Sequence, residues 1–172
     1  KGKKAQLSFF DLPMAKDLLD EVADEKIFQK SYSIFAGFND IGKKKLRMPK
    51  INAELRPYQK DGVKWLEYLK ETKLGGCLAD DMGLGKTLQA ITILAKDYPK
   101  EKKSSLIVMP KSLLFNWQKE IEKFAPQLTT YTFYNKDRDL KAAKKANLIF
   151  TTYAIMRNEI ERLKDEKFHY II

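Results

Sequence analysis

Near its middle the chain reads Leu78-Ala79-Asp80-Asp81-Met82-Gly83-Leu84-Gly85-Lys86-Thr87. This stretch has the form of a phosphate-binding loop, because an apolar strand over residues 76–79 would lead through a glycine turn into a helix. Gly83 and Gly85 can take positive φ, so that successive backbone N–H groups can converge on phosphate oxygens. The helix that begins near Lys86 would add its free N–H groups and the positive end of its dipole.

The polar residues of this loop predict ATP and Mg²⁺ as ligands. Lys86 would reach the β- and γ-phosphates, and the Thr87 hydroxyl would coordinate Mg²⁺. Asp80 stands where the general pattern G-x-x-x-x-G-K-[ST] has its first glycine. A glycine-rich turn that binds no ligand is the alternative interpretation. The candidate binding residues of the loop are Asp80, Met82, Gly83, Leu84, Gly85, Lys86, Thr87 and Leu88.

Composition favours a single core with an appended element and a polyanionic partner. The chain has 172 residues, of which 44% are hydrophobic, and a formal net charge of +10. A lysine-rich surface kept for solubility is the alternative explanation of the charge. His169, the only histidine, lies in an apolar run and is expected to be structural.

The single cysteine and the lengths of the apolar runs predict the compartment. Cys77 lies in the strand predicted before the loop, which excludes a disulfide framework and a cysteine metal site and predicts a buried thiol in a reducing compartment. No apolar run approaches the ~20 residues that cross a bilayer. We therefore expect an intracellular protein that has no membrane partner.

Residues 1–50 differ in pattern from residues 51–172, which predicts an accessory segment before the main domain. A helix is expected from Asp11 to Val22, followed by an apolar cluster from Ile27 to Phe38 and a basic linker from Gly42 to Lys50. The chain begins at a lysine and ends in the apolar run Tyr170-Ile171-Ile172. We expect it to be a piece of a longer protein.

From Leu55 onward, helical patterns alternate with short apolar runs. An amphipathic helix should begin at Pro57, and the helix after the loop should end at Asp97, before Pro99. Strands are predicted over residues 105–109, 130–134, 148–150 and 168–172, and the intervening helices include two with N-caps at Ser112 and Thr152. The helix after Thr152 should turn Met156, Ile160 and Leu163 inward. This order predicts an α/β fold with a parallel sheet covered by helices on both faces.

Four stretches resemble, in order, the motifs of the Swi/Snf-type helicase-like ATPases, a DNA-translocating branch of helicase superfamily two. They are residues 55–66 (Leu-Arg-Pro-Tyr-Gln-Lys-Asp-Gly-Val-Lys-Trp-Leu), the loop of residues 78–87, Leu106-Ile107-Val108-Met109-Pro110 followed by Trp117, and Ile149-Phe150-Thr151-Thr152-Tyr153. The resemblance implies a RecA-like P-loop NTPase lobe, in which Gln59 would read the adenine edge beside Arg56. Asp81 stands where the family usually has glutamate.

In the family, the last two stretches touch nucleic-acid backbone at the ends of parallel strands. The implied contacts are Pro110, Lys111, Ser112, Trp117, Thr151, Thr152 and Tyr153. For Trp117, helical spacing favours a place in the core over a base-stacking platform. The implied partner is duplex DNA, bound through its backbone with little reading of sequence, together with protein partners of the DNA complex.

The resemblance implies an ATPase that translocates on or remodels duplex DNA and its protein complexes. In the family the last strand runs into an acidic Asp-Glu-Ala-x motif, which helps to hold Mg²⁺ and positions the attacking water. The chain stops before that motif and before a second lobe, so residues 1–172 should bind nucleotide without hydrolysing it. Phe35-Ala36-Gly37-Phe38 is similar to the accessory segment of bacterial members, which would place the protein in the cytoplasm or nucleoid.

Two alternatives remain open. One is an RNA helicase of the same superfamily. The sequence argues against it, because residues 55–59 read Leu-Arg-Pro-Tyr-Gln where such a helicase is expected to have the pattern Pro-Thr-x-Ile-Gln. The other is a non-catalytic basic module that binds nucleic acid or protein, with the loop as a relic.

Overall fold

The computed structural model describes residues 25–45, 47–98, 100–134 and 138–172, with side chains from residue 29 onward. The helix predicted from Asp11 to Val22 lies outside the described residues. The described residues fall into two compact units, one within residues 25–45 and 64–77 and one within residues 47–63 and 78–172. The boundary predicted near residue 50 stays a prediction. None of the helices in the described ranges is long and apolar enough to cross a membrane.

In the described chain three helices come first, and three strands then alternate with helices up to a final pair of helices. The helices are α1 (Glu25–Gly37), α2 (Pro57–Thr72), α3 (Lys86–Asp97), α4 (Leu114–Phe124), α5 (Leu140–Ala143), α6 (Tyr153–Asn158) and α7 (Ile160–Leu163). The strands are β1 (Ser105–Val108), β2 (Thr130–Thr132) and β3 (Leu148–Thr151). Two 3₁₀ turns, Phe38–Lys43 and Lys111–Leu113, precede longer elements. Helix α3 ends at Asp97, as predicted.

In the first unit, Tyr68 joins the apolar cluster to the basic stretch that follows it. The Tyr68 hydroxyl donates to the backbone oxygen of Ile34, and its ring meets Phe38 edge-on with centroids 4.9 Å apart. Lys44 Nζ lies 4.8 Å from the centroid of the Tyr68 ring. A Cβ on Gly37 would lie 2.1 Å from the Tyr68 hydroxyl oxygen, so glycine allows the close approach of α1.

The second unit contains a parallel sheet in the order β1-β3-β2. Leu148 of β3 lies opposite Ser105 of β1 and Thr130 of β2. On the other side of β1, Leu106 N donates to Tyr170 O at 2.8 Å and Ile172 N donates to Leu106 O at 2.9 Å. The last predicted strand is thus a short parallel bridge, and the predicted parallel α/β arrangement is confirmed.

Side chains alternate between the two faces of the sheet, as the period of two in a strand requires. On one face, α3 and α4 pack on β1 and β3 through Ile91, Leu94, Ile107, Leu114, Ile121, Leu148 and Phe150. On the other face, Leu106, Phe133, Ala143 and Ile149 form a second cluster, against which Ile155 and Phe168 pack. The predicted cover of helices on both faces is therefore present.

The strand predicted just before the loop does not form. Residues 74–80 are described but are not assigned to a strand, and Cys77 is exposed. The prediction of a buried strand thiol was therefore wrong. Gly75 and Gly76 supply no side chains to pack, and glycine in a strand interior weakens it.

Of the two predicted N-caps, only Thr152 is one. Thr152 has extended backbone angles (φ −112°, ψ 160°), and its hydroxyl accepts from Ile155 N. Ser112 instead lies inside the 3₁₀ turn, and α4 begins after Leu113, which has helical backbone angles and no side-chain cap. A cap requires a non-helical residue directly before the helix, and the 3₁₀ turn moves Ser112 out of that position.

The helix predicted after Thr152 is divided at Glu159. This residue has φ −102° and ψ 12°, and its carboxylate accepts from Arg138 at 2.8 Å and from Arg162 at 2.6 Å. These two guanidinium groups hold the pKa of Glu159 below its usual value. The division turns Ile160 outward with 43% of its surface exposed, so the prediction that it faces inward was wrong, whereas Leu163 is buried as predicted.

His169 lies in a polar network at the amino-terminal edge of the sheet. Asp97 Oδ2 lies 2.6 Å from His169 Nε2 and accepts from the Tyr170 hydroxyl at 2.6 Å. Glu101 Oε2 is 3.2 Å from His169 Nδ1. Burial, together with the hydrogen bond to the Asp97 carboxylate, raises the pKa of Tyr170. These contacts tie the end of α3 to the last strand and support the structural role predicted for His169.

Candidate nucleotide-binding site

The loop before α3 has the backbone that a phosphate cradle requires. Gly83 and Gly85 have φ angles of +85° and +79°, in the region where side chains with a Cβ are strained. Gly85 is the N-cap of α3, and no side chain caps the helix there. The first turn of α3, beginning at Lys86, is therefore left without a side-chain acceptor for its N–H groups.

Two side chains from the start of α2 hold the loop at Leu84. Gln59 Nε2 donates to the backbone oxygen of Leu84 at 3.0 Å, and the Tyr58 hydroxyl donates to the same oxygen at 3.1 Å. Gln59 Oε1 accepts from Arg56 N at 3.0 Å, and only 6% of Gln59 is exposed. The Gln59 side chain therefore braces the loop, while its contact with adenine stays a prediction.

Lys86 is bonded to the loop that it follows. Its Nζ donates to the backbone oxygen of Asp80 at 2.6 Å and to that of Asp81 at 3.0 Å. These carbonyl groups belong to the entry of the loop, six and five residues before the lysine. The ammonium group is thus held inside the curve of the loop, where a phosphate-binding lysine is expected.

Two residues that support the loop were not among the candidates predicted from the sequence: Tyr58, described above, and Gln89. The Gln89 side chain is completely buried, and its Nε2 donates to Asp80 Oδ2 at 2.8 Å. The signal that could have identified Gln89 is its position: it lies three residues after Lys86, and mostly apolar residues follow it in the same helix. Gln89 connects the residue that replaces the first glycine of the general pattern to the body of α3.

The remaining loop candidates line the surface around this support. Met82 is 97% exposed, Leu84 is 36% exposed, and Thr87 is half-buried in the first turn of α3. The Arg56 side chain is exposed. A cleft of about 390 Å³ opens beside the loop between α3 and α4, and its lining is Gly85, Leu88, Lys119, Glu120, Lys123 and Phe124.

Glu120 is the one carboxyl group in the lining of that cleft. Burial raises the pKa of Glu120, and the nearby Lys123 ammonium opposes that rise. Lys119 and Lys123 place two cations in the same lining. The cleft beside the loop is therefore predominantly cationic, which suits an anionic ligand.

The loop residues fit a magnesium nucleotide. The donors suited to phosphate are Lys86 Nζ and the uncapped start of α3, and the hydroxyl suited to Mg²⁺ is that of Thr87. Among the described residues, no group of three or more His, Cys, Asp or Glu side chains could hold a metal ion. These residues therefore suit a Mg²⁺ ion that is also coordinated by phosphate oxygens of the nucleotide better than an ion bound by protein side chains alone.

Most of the candidate nucleic-acid residues follow the carboxyl ends of β1 and β3. Val108 pairs with Thr151, and Met109 N donates to Thr151 O at 3.0 Å. The residues that come directly next, Pro110 to Ser112 and Thr152 to Tyr153, therefore lie at the same edge of the sheet. Lys111 and Tyr153 are exposed there, and Lys111 Nζ lies 5.3 Å from the centroid of the Tyr134 ring.

Thr152 of that set is only 6% exposed, and two further candidates face the interior. Thr151 is completely buried and its hydroxyl donates to Phe133 O at 3.0 Å, so the side chain cannot reach a ligand in this structure. Trp117 packs on the core, with its ring 6.1 Å from that of Phe150. This is the core position that helical spacing favours for Trp117.

A family model for the SNF2-related domain matches residues 58–172. The chain is 40% identical to the SWI2/SNF2 ATPase core of Sulfolobus solfataricus in a complex with dsDNA, with a TM-score of 0.68 over 74% of this chain and 27% of that one. This likeness supports the RecA-like lobe that the motifs imply.

Two curated relatives are much longer than this chain. An uncharacterized ATP-dependent helicase of Mycoplasma pneumoniae is 38% identical over 162 residues, which are 91% of this chain and 15% of that protein. The human TATA-binding protein-associated factor 172 is 42% identical over 141 residues, which are 71% of this chain and 8% of that protein. The chain thus spans less than a sixth of either relative, and it belongs to the SNF2-related domain family of Swi/Snf-type, helicase-like ATPases.

Proposed function

We propose that the chain is the ATP-binding part of a DNA-dependent ATPase that translocates on or remodels duplex DNA and its protein complexes. The observation that carries the proposal is the loop of residues 80–87. Its two positive-φ glycines, its inward lysine and its uncapped helix start combine the features that bind a nucleotide's phosphates. The relatives, which include an ATP-dependent helicase and a TATA-binding protein-associated factor, support the DNA-directed part.

Each loop residue has a separate role in the proposal. Lys86 neutralises phosphate charge, and Thr87 offers its hydroxyl to Mg²⁺, which offsets charge on the phosphate oxygens when bound. Gly83 and Gly85 let the backbone approach, and Gln59 with Tyr58 keeps the Leu84 carbonyl fixed. The proposal gives no residue of this chain the role of positioning the attacking water or of contacting the phosphates as an arginine finger.

Duplex DNA is proposed to bind at the carboxyl edge of β1 and β3. This edge offers exposed Lys111, the exposed hydroxyl-bearing Ser112 and Tyr153, and the N-terminus of α6 after Thr152. Such groups contact phosphate without reading bases, so binding should depend on backbone charge. The net charge of +10 supports a polyanionic partner.

The salt dependence of DNA binding tests this part of the proposal. For the full-length protein, log affinity for a duplex should fall linearly with log salt between about 50 and 200 mM, by about 0.9 per neutralised phosphate. Lys111→Ala should reduce that slope by about one phosphate contact. Fluorescence anisotropy of a labelled duplex gives both slopes.

Lys102 supplies the matched control for Lys111. It is also an exposed lysine, but it precedes β1 and therefore lies at the opposite edge of the sheet. Lys102→Ala should leave the slope unchanged. Affinity that is independent of salt, or an equal loss of slope in the two variants, would contradict the proposed DNA-binding edge.

A further inference from the structure

Gln89 is a buried amide with only one of its two polar atoms bonded. Its Nε2 donates to Asp80 Oδ2 at 2.8 Å, whereas Oε1 has no hydrogen-bond partner among the described residues. The carboxylate of Asp80 accepts only, which fixes the orientation of the amide with its nitrogen toward Asp80. An unpartnered buried oxygen is unfavourable, so this position would pack better with an apolar residue of similar shape.

The unbonded oxygen of Gln89 points at Gly62 in the interior of α2. A Cβ added to Gly62 would lie 1.9 Å from Gln89 Oε1, so no residue larger than glycine fits while the amide keeps its place. Glycine in a helix interior is less favourable than alanine. The contact with Gln89 explains why glycine occupies this place in α2. Gln89 and Gly62 are each unfavourable locally, but together they allow the Gln89 amide to lie where it bonds to Asp80.

The contact between Gln89 and Asp80 also affects the position of Lys86. Asp80 is bonded twice, through its carboxylate to Gln89 Nε2 and through its backbone oxygen to Lys86 Nζ at 2.6 Å. The position of the Asp80 backbone therefore determines where Lys86 is held. Because Asp80 replaces the first glycine of the general pattern, its side chain provides an anchor that glycine lacks.

We propose that Gln89 is a positioning residue for nucleotide binding, which anchors Asp80 and thereby sets the place of Lys86 at the phosphates. Gly62 gives the Gln89 amide the room that this anchor requires. In this role Gln89 touches no part of the nucleotide and acts only through Asp80. The inference rests on the proposed ATP binding, but it concerns the chain's own loop.

Exchange of the two polar groups is the central test. In the full-length protein, Gln89→Glu sets a carboxylate against the Asp80 carboxylate and should raise the Kd for ATP about tenfold or more. The double variant Asp80→Asn with Gln89→Glu restores a donor and an acceptor in reversed order. It should return the Kd to within about threefold of the wild type. Titration with a fluorescent ATP analogue gives these values.

Gln89→Met is the second variant, because the glutamate variant could fail to fold with a buried carboxylate. Methionine keeps the shape and removes the unpartnered oxygen, so the Tm should not fall, while the Kd should rise about five- to tenfold. Without nucleotide, amide hydrogen exchange over residues 78–85 should become faster in this variant. A residue that served packing alone would change the Tm and leave the Kd and the loop exchange as they are.

These outcomes separate the inference from the proposed function. Wild-type Kd and wild-type loop exchange in Gln89→Met would overturn the positioning role, as would a double variant as weak as Gln89→Glu. If the wild-type protein bound no ATP, the proposed function would fail. Loop exchange in Gln89→Met would then still decide whether Gln89 anchors Asp80.

Discussion

Lys86→Ala should raise the Kd of the full-length protein for ATP by about ten- to a hundredfold. The ammonium group is the one charged donor that the loop itself directs inward, through bonds to the backbone oxygens of Asp80 and Asp81. A charged donor to a phosphate contributes roughly 1.5–3 kcal/mol, which corresponds to this range of affinity. Isothermal titration with ATP and Mg²⁺ measures the change.

Two further lysine variants make the Lys86 result specific. Lys100→Ala removes an exposed lysine just beyond the other end of α3 and should leave the Kd unchanged. Lys86→Arg keeps the charge but replaces a compact ammonium by a planar guanidinium, so it should recover only part of the affinity. Equal affinity of Lys86→Ala and the wild type would show that the lysine does not bind phosphate.

Gly85→Ala should abolish measurable ATP binding, with a rise in Kd of about a hundredfold or more. The residue has a φ of +79°, and a Cβ there would lie 2.5 Å from Gln59 Nε2. The new methyl group therefore strains the backbone and also displaces the amide that holds the Leu84 carbonyl. Both changes move the loop away from the geometry that the phosphates need.

Gly83→Ala separates the two effects of the Gly85 substitution. Gly83 has a similar φ of +85°, but nothing lies within 4 Å of the Cβ position. Its variant should carry only the backbone strain of roughly 1–2 kcal/mol, which limits the loss of affinity to about tenfold. Circular dichroism should show a folded sheet in both variants. Equal losses in the two variants would show that the Gln59 brace has no part in binding.

Most of the sheet could be predicted from the sequence because its strands are short runs that are buried on both faces. Ser105 to Val108 and Leu148 to Thr151 are such runs, and alternating residues of each pack on opposite helices. Thr152 could be predicted as a cap because it directly follows a strand and precedes a helix. In these elements, local pattern and tertiary packing favour the same structure.

The predictions that were wrong concern places where local pattern is a poor guide to tertiary structure. Apolar character over residues 76–79 predicted a strand, although strand formation also needs a ladder partner, and Cys77 is exposed instead. Ser112 has the residue type of a cap but lies within a 3₁₀ turn. Ile160 has helical spacing from Met156, yet the backbone leaves helical geometry at Glu159, which lies between them and pairs with two guanidinium groups.

In the candidate site, the motif predicted the loop but not its support. Lys86, Gly83 and Gly85 carry the signal of residue type and spacing. The signal of Gln89 is only its spacing from Lys86, and Gly62 has none, because an isolated glutamine or glycine in a helix has many explanations. Their relation depends on the packing of the first turns of α2 against α3, which no local pattern specifies.

Steady-state ATPase activity of the full-length protein, with duplex DNA, single-stranded DNA or RNA added, distinguishes a DNA-dependent ATPase from the two alternatives. Duplex DNA should strongly stimulate the activity, and this stimulation should be lost in Lys86→Ala because that variant binds ATP poorly. Stimulation by RNA alone would favour an RNA helicase. No turnover with any polynucleotide would overturn the proposed function and favour a basic binding module in which the loop is a relic.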